Sequence, residues 1–178
     1  PFRWCILTAP TVADAHSWVF NWVTMCTCDM YPILDDNEAR KIILGKDAAY
    51  KVDTSHIGDE AKPGESLYVI EYQFTPEMKM KGHEVFGNMT QKQDEADGGN
   101  CTTLGRYHNL GTGSGLAICS AANAYDLYKW AYQWAPMCTC VINPVCSDKV
   151  GRGIIKAKPD FGKKLTKVMG KMGMSLIG

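Results

Sequence analysis

The chain has 178 residues, 46% of them hydrophobic and 21% charged, which is enough apolar material for a packed core and too much for a disordered chain. Lysine and arginine together number 19 and so do aspartate and glutamate, so no global field recruits nucleic acid or an anionic surface. No apolar run approaches the about 18 residues of a transmembrane helix.

Pro1 follows no basic or apolar leader, and both methionine removal and cleavage of a targeting peptide account for such a start. Residues 2–9 predict a buried strand closed by Pro10, after which Thr11 and Asp14 predict a capped helix. Ala15, Val19, Trp22 and Val23 recur at helical spacing with Trp18 beside them, the pattern of a helix packed by an aromatic-rich face. From Cys26 to Leu34 the period changes to two, predicting a strand, and Asp35-Asp36 opens a short helix through Arg40, Ile42 and Ile43.

Residues 47–66 are polar and read as a connector. Leu67 to Phe74 is the clearest strand, and residues 77–96 carry a weak helical pattern. Cys101–His108 and Gly115–Ser120 predict a hairpin around Asn109–Ser114, whose glycines lack the Gly-Lys-Ser/Thr ending and the following helix of a phosphate cradle. A helix over 123–137, a strand over 138–146 and a short helix over 147–156 complete the order βαββαβ, that of a ferredoxin-like domain.

The element Trp-x-x-x-Trp-x-x-Met-Cys-Thr-Cys-x-x-x-Pro occurs at Trp18–Pro32 and again at Trp130–Pro144. At that offset of 112, residues 4–46 and 116–158 agree at fifteen of forty-three positions, which chance does not produce. The expected fold is therefore α+β and ferredoxin-like: tandem duplicated βαβ units, antiparallel sheets and helices on one face. Residues 1–46 would be a partial copy and 67–157 a whole one, making the chain pseudo-dimeric.

Leu104-Gly105-Arg106-Tyr107-His108, Gly115–Cys119, Trp130-x-x-x-Trp134 and Asn143-Pro144-Val145 resemble a family of small uncharacterised bacterial and algal proteins with a dimeric α/β-barrel, ferredoxin-like fold. Tyr31-Pro32-Ile33-Leu34-Asp35-Asp36 carries the same resemblance in the first copy, whereas Cys146-Ser147-Asp148 departs from the acidic pair in the second. The resemblance implies the fold and no activity. Its fold relatives include cofactor-free monooxygenases, and its algal branch implies a plastid location.

Cys26, Cys28, Cys138 and Cys140 suit core packing first, with a four-thiolate zinc site or a redox pair as alternatives; otherwise no cofactor is expected. Eight cysteines in apolar runs favour a reducing compartment, cytoplasm or plastid stroma. The tryptophan pairs suit core packing, or else a flat aromatic ligand. Arg106 and His108 fall on one strand face with Tyr107 opposite; the three suit a polar edge beside the hairpin first, and as weak catalytic candidates an anionic ligand or proton transfer. His16, His56 and His83 are isolated.

Residues 158–178 form a basic amphipathic tail in which Phe161, Leu165, Val168, Met169, Met172 and Leu176 make an apolar stripe and Lys164 lies beside it. Such a segment covers the protein's own core, docks to a partner groove or lies on an anionic membrane surface, and external docking is the leading expectation. The leading expectation is a non-enzymatic binding or assembly protein, an accessory subunit held through this tail in a larger complex of other protein subunits, membrane-associated and photosynthetic in the plastid case. The alternative is a small α/β-barrel enzyme or small-molecule binder with a cleft near Arg106 and His108.

Overall fold

The structure, a computed structural model, describes residues 4–52 and 60–158 together with residue 167. It divides into two units, Pro1–Pro32 and Ile33–Gly178.

Within the first unit one helix forms, α1 (Val12–Phe20). Its start is the expected capping box: the Thr11 hydroxyl accepts from the Asp14 amide, and the Asp14 carboxylate accepts from the Thr11 amide, each at 3.2 Å. Residues 4–9 form no strand, and neither do residues 26–33. The expected βαβ half-domain is thus represented here by its helix. Without a sheet in this unit to cover them, Trp18 and Trp22 remain 45% and 42% exposed, their ring centroids 6.0 Å apart.

The second unit opens with a two-residue strand, β1 (Leu34–Asp35), and helix α2 (Asp36–Leu44). Asp35 caps α2 through a second box with Glu38, and Gly45 ends it in the left-handed conformation at φ 66°, which glycine adopts without a Cβ penalty. Strand β2 (Ser66–Phe74) leads to α3 (Lys79–Asn88) and α4 (Gln91–Gly98). The helix expected over 77–96 is broken at Met89-Thr90 because Thr90 forms its own capping box with Gln93 and starts a new helix. Strands β3 (Thr102–Asn109) and β4 (Ser114–Ala121), helix α5 (Ala124–Trp134), strand β5 (Cys138–Val145) and helix α6 (Asp148–Lys156) follow. These lie within three residues of their expected limits.

The five strands make one sheet in the order β1-β3-β4-β2-β5, every neighbouring pair antiparallel. Strands β2 to β5 keep the ferredoxin-like order, and β1 adds a fifth strand to the β3 edge. Side chains alternate across the sheet, so residues two apart share a face. One inner row runs His108, Gly115, Tyr72 and Cys140; the next runs Arg106, Ala117, Ile70 and Ile142. On this face Ile70, Ala117, Cys119 and Ala121 pack with Leu127 of α5 to form the main core. The same two rows bring Arg106 and His108 toward α2.

Candidate functional site: a buried ion network beneath helix α2

Arg106 and His108 share the inner face of β3 because they stand two residues apart. Above them lies α2, whose first residue Asp36 is 2% exposed. His108 Nε2 is 2.6 Å from Asp36 Oδ1. A carboxylate only accepts, so Nε2 carries a proton, and Nδ1 shares a hydrogen bond of 2.6 Å with the Tyr72 hydroxyl.

Arg106 grips the same carboxylate. Its Nε and Nη2 donate to Asp36 Oδ2 at 2.9 and 2.6 Å, while Nη1 and Nη2 donate to Asp94 at 2.7 and 2.8 Å. One planar guanidinium thus bridges two carboxylates, a geometry that a lysine ammonium cannot reproduce. Asp94 sits in the first turn of α4, where the separate start of that helix places it.

Arg40, also on α2, is completely buried. Its guanidinium stacks 4.3 Å from the Phe86 ring centroid and donates to the Met89 carbonyl at 3.1 Å and to the Tyr50 hydroxyl at 3.3 Å. The Tyr50 hydroxyl in turn donates to Asp94. Two carboxylates and two guanidiniums therefore close a charge-balanced network that fastens α2 to β3, α3 and α4.

The electrostatics follow from burial and pairing. Burial alone would raise the Asp36 carboxyl, but the His108 hydrogen bond and the Arg106 charge outweigh it and hold it below the usual carboxylate range. Burial works against the Arg106 charge, yet the Asp36 carboxylate beside it raises its pKa still further. Burial and then the nearby Asp36 charge push the Tyr72 hydroxyl up.

The row Tyr72–His108–Asp36 has the order of a hydroxyl, a base and an orienting carboxylate. It does not present an activated nucleophile. The Tyr72 pKa moves up, away from activation, and its hydroxyl fills the space left by the missing side chain of Gly115, where a Cβ would lie 2.4 Å from the oxygen. A cleft of about 320 Å³ runs beside the network, bordered by Asp35, Asp36, Asp94, Glu95, Cys101 and Arg106. Its lining is acidic and contains no tryptophan.

Tyr107 lies on the opposite face, 5% exposed, its ring folded back toward Gly105. Cys138 and Cys140 face the core with sulfurs 3.7 Å apart; in the first unit, Cys26 and Cys28 are 3.5 Å apart. The hydrogen bond they share pushes the Cys138 thiol up and the Cys140 thiol down. Among the described residues no cluster of three or more His, Cys, Asp or Glu side chains is placed to hold a metal ion. Trp130 and Trp134 both donate their indole N–H to Asp97, at 2.7 and 3.1 Å. His83 packs edge-on against Phe74. The stripe Phe161, Lys164, Leu165, Val168, Met169, Met172 and Leu176 lies outside the described residues. No helix among the described residues is long and apolar enough to cross a membrane.

Sequence reading singled out Arg106 and His108 and missed their partners Asp36, Asp94, Arg40 and Tyr72. A signal for two of them existed: Asp36 and Arg40 recur at offset 112 as Asp148 and Arg152.

Sheet order and helix placement define an α+β domain of ferredoxin-like type, with an added edge segment locked down by buried charge. Residues 66–159, more than half of the chain, match the family DUF3303, a domain of unknown function, and the chain belongs to that family. Neither the curated proteins nor the solved structures contain a match to the chain. Segment β1–α2 precedes the matched residues, so Asp36 and Arg40 reach the network from outside the family domain, whereas Arg106, His108, Asp94 and α6 lie inside it.

Proposed function

We propose that this protein is a non-enzymatic assembly module, an accessory subunit of a larger protein complex in a reducing compartment, the plastid stroma or the cytoplasm. The observation that carries this reading is the saturation of Arg106 and His108. The chain's best candidates for acid–base chemistry are spent on Asp36, Asp94 and Tyr72 beneath a helix. Apolar surface remains outward instead: Tyr125, Tyr128 and Tyr132 on α5 are 70%, 63% and 80% exposed. In this reading the basic stripe from Phe161 to Leu176 attaches the subunit to its complex, membrane-associated in the plastid case. Deletion of residues 159–178 should release the protein from material that co-purifies with it while leaving the melting transition unchanged. A truncated protein that stays bound refutes the tail as the attachment.

The acidic cleft beside Arg106 favours a second reading, a small α/β-barrel enzyme or small-molecule binder. Aromatic metabolites that leave both tryptophan emission and the melting temperature unmoved would eliminate it.

A further inference from the structure

Helix α6 is the repeat counterpart of α2, and the two share their limits as well as their sequence. Residues 36–44 displaced by 112 are 148–156, the span of α6. Most of the positions that seat α2 are retained, although Leu44, which reaches Gly87 beside Ile43, is replaced by Lys156. Asp36, which binds Arg106 and His108, recurs as Asp148; Arg40, which stacks on Phe86, recurs as Arg152. Ile43, packed so tightly on Gly87 that a Cβ there would come within 2.6 Å of its Cγ2, recurs as Ile155. Ala39, with 0% exposure, is matched by Gly151, again a residue small enough for close approach.

Two positions that do not touch the β3 side have diverged. Glu38, used only in the cap, is replaced by Val150, and Lys41, which pairs with Asp47 at the surface, by Gly153. Ile42 is exposed yet recurs as Ile154.

The environments are opposite. No residue of α6 is buried: Val150, Ile154 and Ile155 are 46%, 52% and 40% exposed. Among the described residues Asp148 and Arg152, whose counterparts reach across to other elements, bond only to each other at the surface. The helix has the side chains of a plug and no socket. The socket it matches lies within this same domain. It is the β3 edge of this same fold, with the Arg106 and His108 side chains, the Phe86 ring and the gap at Gly87, and here α2 occupies it.

Resting on the assembly reading above, we infer that α6 is a docking plug for the β3 edge of a second domain of this family, seated there by Asp148 and Arg152 as α2 is seated by Asp36 and Arg40. The family domain then carries both halves of a head-to-tail joint. It has a socket on β3, filled by the segment preceding the domain, and a plug after β5 for the next domain. Charge complementarity fixes the orientation, since Asp148 must meet the Arg and His of the socket while Arg152 meets its aromatic ring and acidic side.

The test opens the socket in the full chain and offers the plug in trans. The double variant Asp36→Ala, Arg40→Ala removes the anchoring side chains of α2. A synthetic peptide spanning residues 143–158, in large excess, should raise the melting temperature of this variant by about 5 °C or more, the shift that stoichiometric binding produces. A peptide carrying Asp148→Ala and Arg152→Ala should not. The milder opening Asp36→Asn, which keeps the side chain's shape, repeats the measurement in a protein that retains its fold. Without peptide, either opened variant should associate in a concentration-dependent manner through its own α6, and added Asp148→Ala, Arg152→Ala should return it to monomer. No peptide-dependent shift in either opened variant overturns the inference, as does a shift that the altered peptide reproduces. Loss of tail attachment leaves this result untouched, so the two readings fail separately.

Discussion

Asp36 Oδ1 lies 2.6 Å from His108 Nε2, joining the first residue of α2 to a strand residue 72 positions later. The same carboxylate holds Arg106, so one side chain decides whether β1 and α2 stay on the sheet. Removing one partner of a buried ion pair leaves the other charged and desolvated. Asp36→Ala should therefore cost about 3–5 kcal/mol in denaturant unfolding. Asp36→Asn, which retains an acceptor oxygen, should cost distinctly less. Equal losses for the two variants would show that the ion pair is not what matters.

Acid should weaken the same contact. The folded Asp36 carboxyl lies below its ordinary value of 3.8, so its contribution is fully present above that value. It is lost as pH falls through the lower folded pKa, where the carboxyl takes up a proton that Arg106 and His108 oppose. Stability measured from pH 6 downward should show an acid-side decline that is shallower in Asp36→Asn. Parallel curves for wild type and variant would rule this out.

Arg40 tests geometry rather than charge. Its guanidinium reaches the Met89 carbonyl and the Tyr50 hydroxyl while lying on the Phe86 ring. A lysine keeps the charge but loses the planar stack and one of two separated donors. Arg40→Lys should cost about 1–3 kcal/mol, the penalty for leaving a buried group unsatisfied. A loss below measurement error would place the role of Arg40 in its charge alone.

The α2–α3 contact depends on a missing side chain. Because a Cβ at Gly87 would lie 2.6 Å from Ile43 Cγ2, Gly87→Ala must push α2 outward. Overpacking of this kind costs about 1–3 kcal/mol, against the small gain alanine normally gives within a helix. A thermal melt showing net stabilisation would mean the helices part without penalty.

Asp97 carries the two tryptophans of α5, one helical turn apart. It accepts from both indoles at 2.7 and 3.1 Å, and burial, only partly offset by those two bonds, raises its pKa. Asp97→Ala strands both N–H groups, and should shift tryptophan emission while costing about 1–3 kcal/mol. An unchanged emission spectrum would mean the indoles find water instead.

Local patterns in the sequence carry the fold from Ser66 to Lys156 well. Alternation along Leu67–Phe74 and capping residues such as Asn123 and Ser147 act over a few residues and appear where the chain places them. The same logic fails at residues 4–9, a continuous apolar run, and at 26–33, an alternating one, both of which resemble true strands. A strand exists only where a neighbour supplies hydrogen bonds, and no local pattern names that neighbour.

The site divides the same way. Arg106 and His108 are legible as a pair because strand geometry alone puts them on one face. Asp36, Asp94 and Tyr72 are not, since they arrive from α2, α4 and β2 across 70, 12 and 36 residues. By itself the sequence determined the element order from Ser66 to Lys156, the ferredoxin-like class and the doubled helical pattern that appears as α2 and α6, all consequences of short-range periodicity and repetition. Only the tertiary structure decided that Arg106 and His108 are consumed as anchors rather than offered as catalysts. Buried charges must find partners, and which partners lie within reach depends on how the sheet edge and α2 meet.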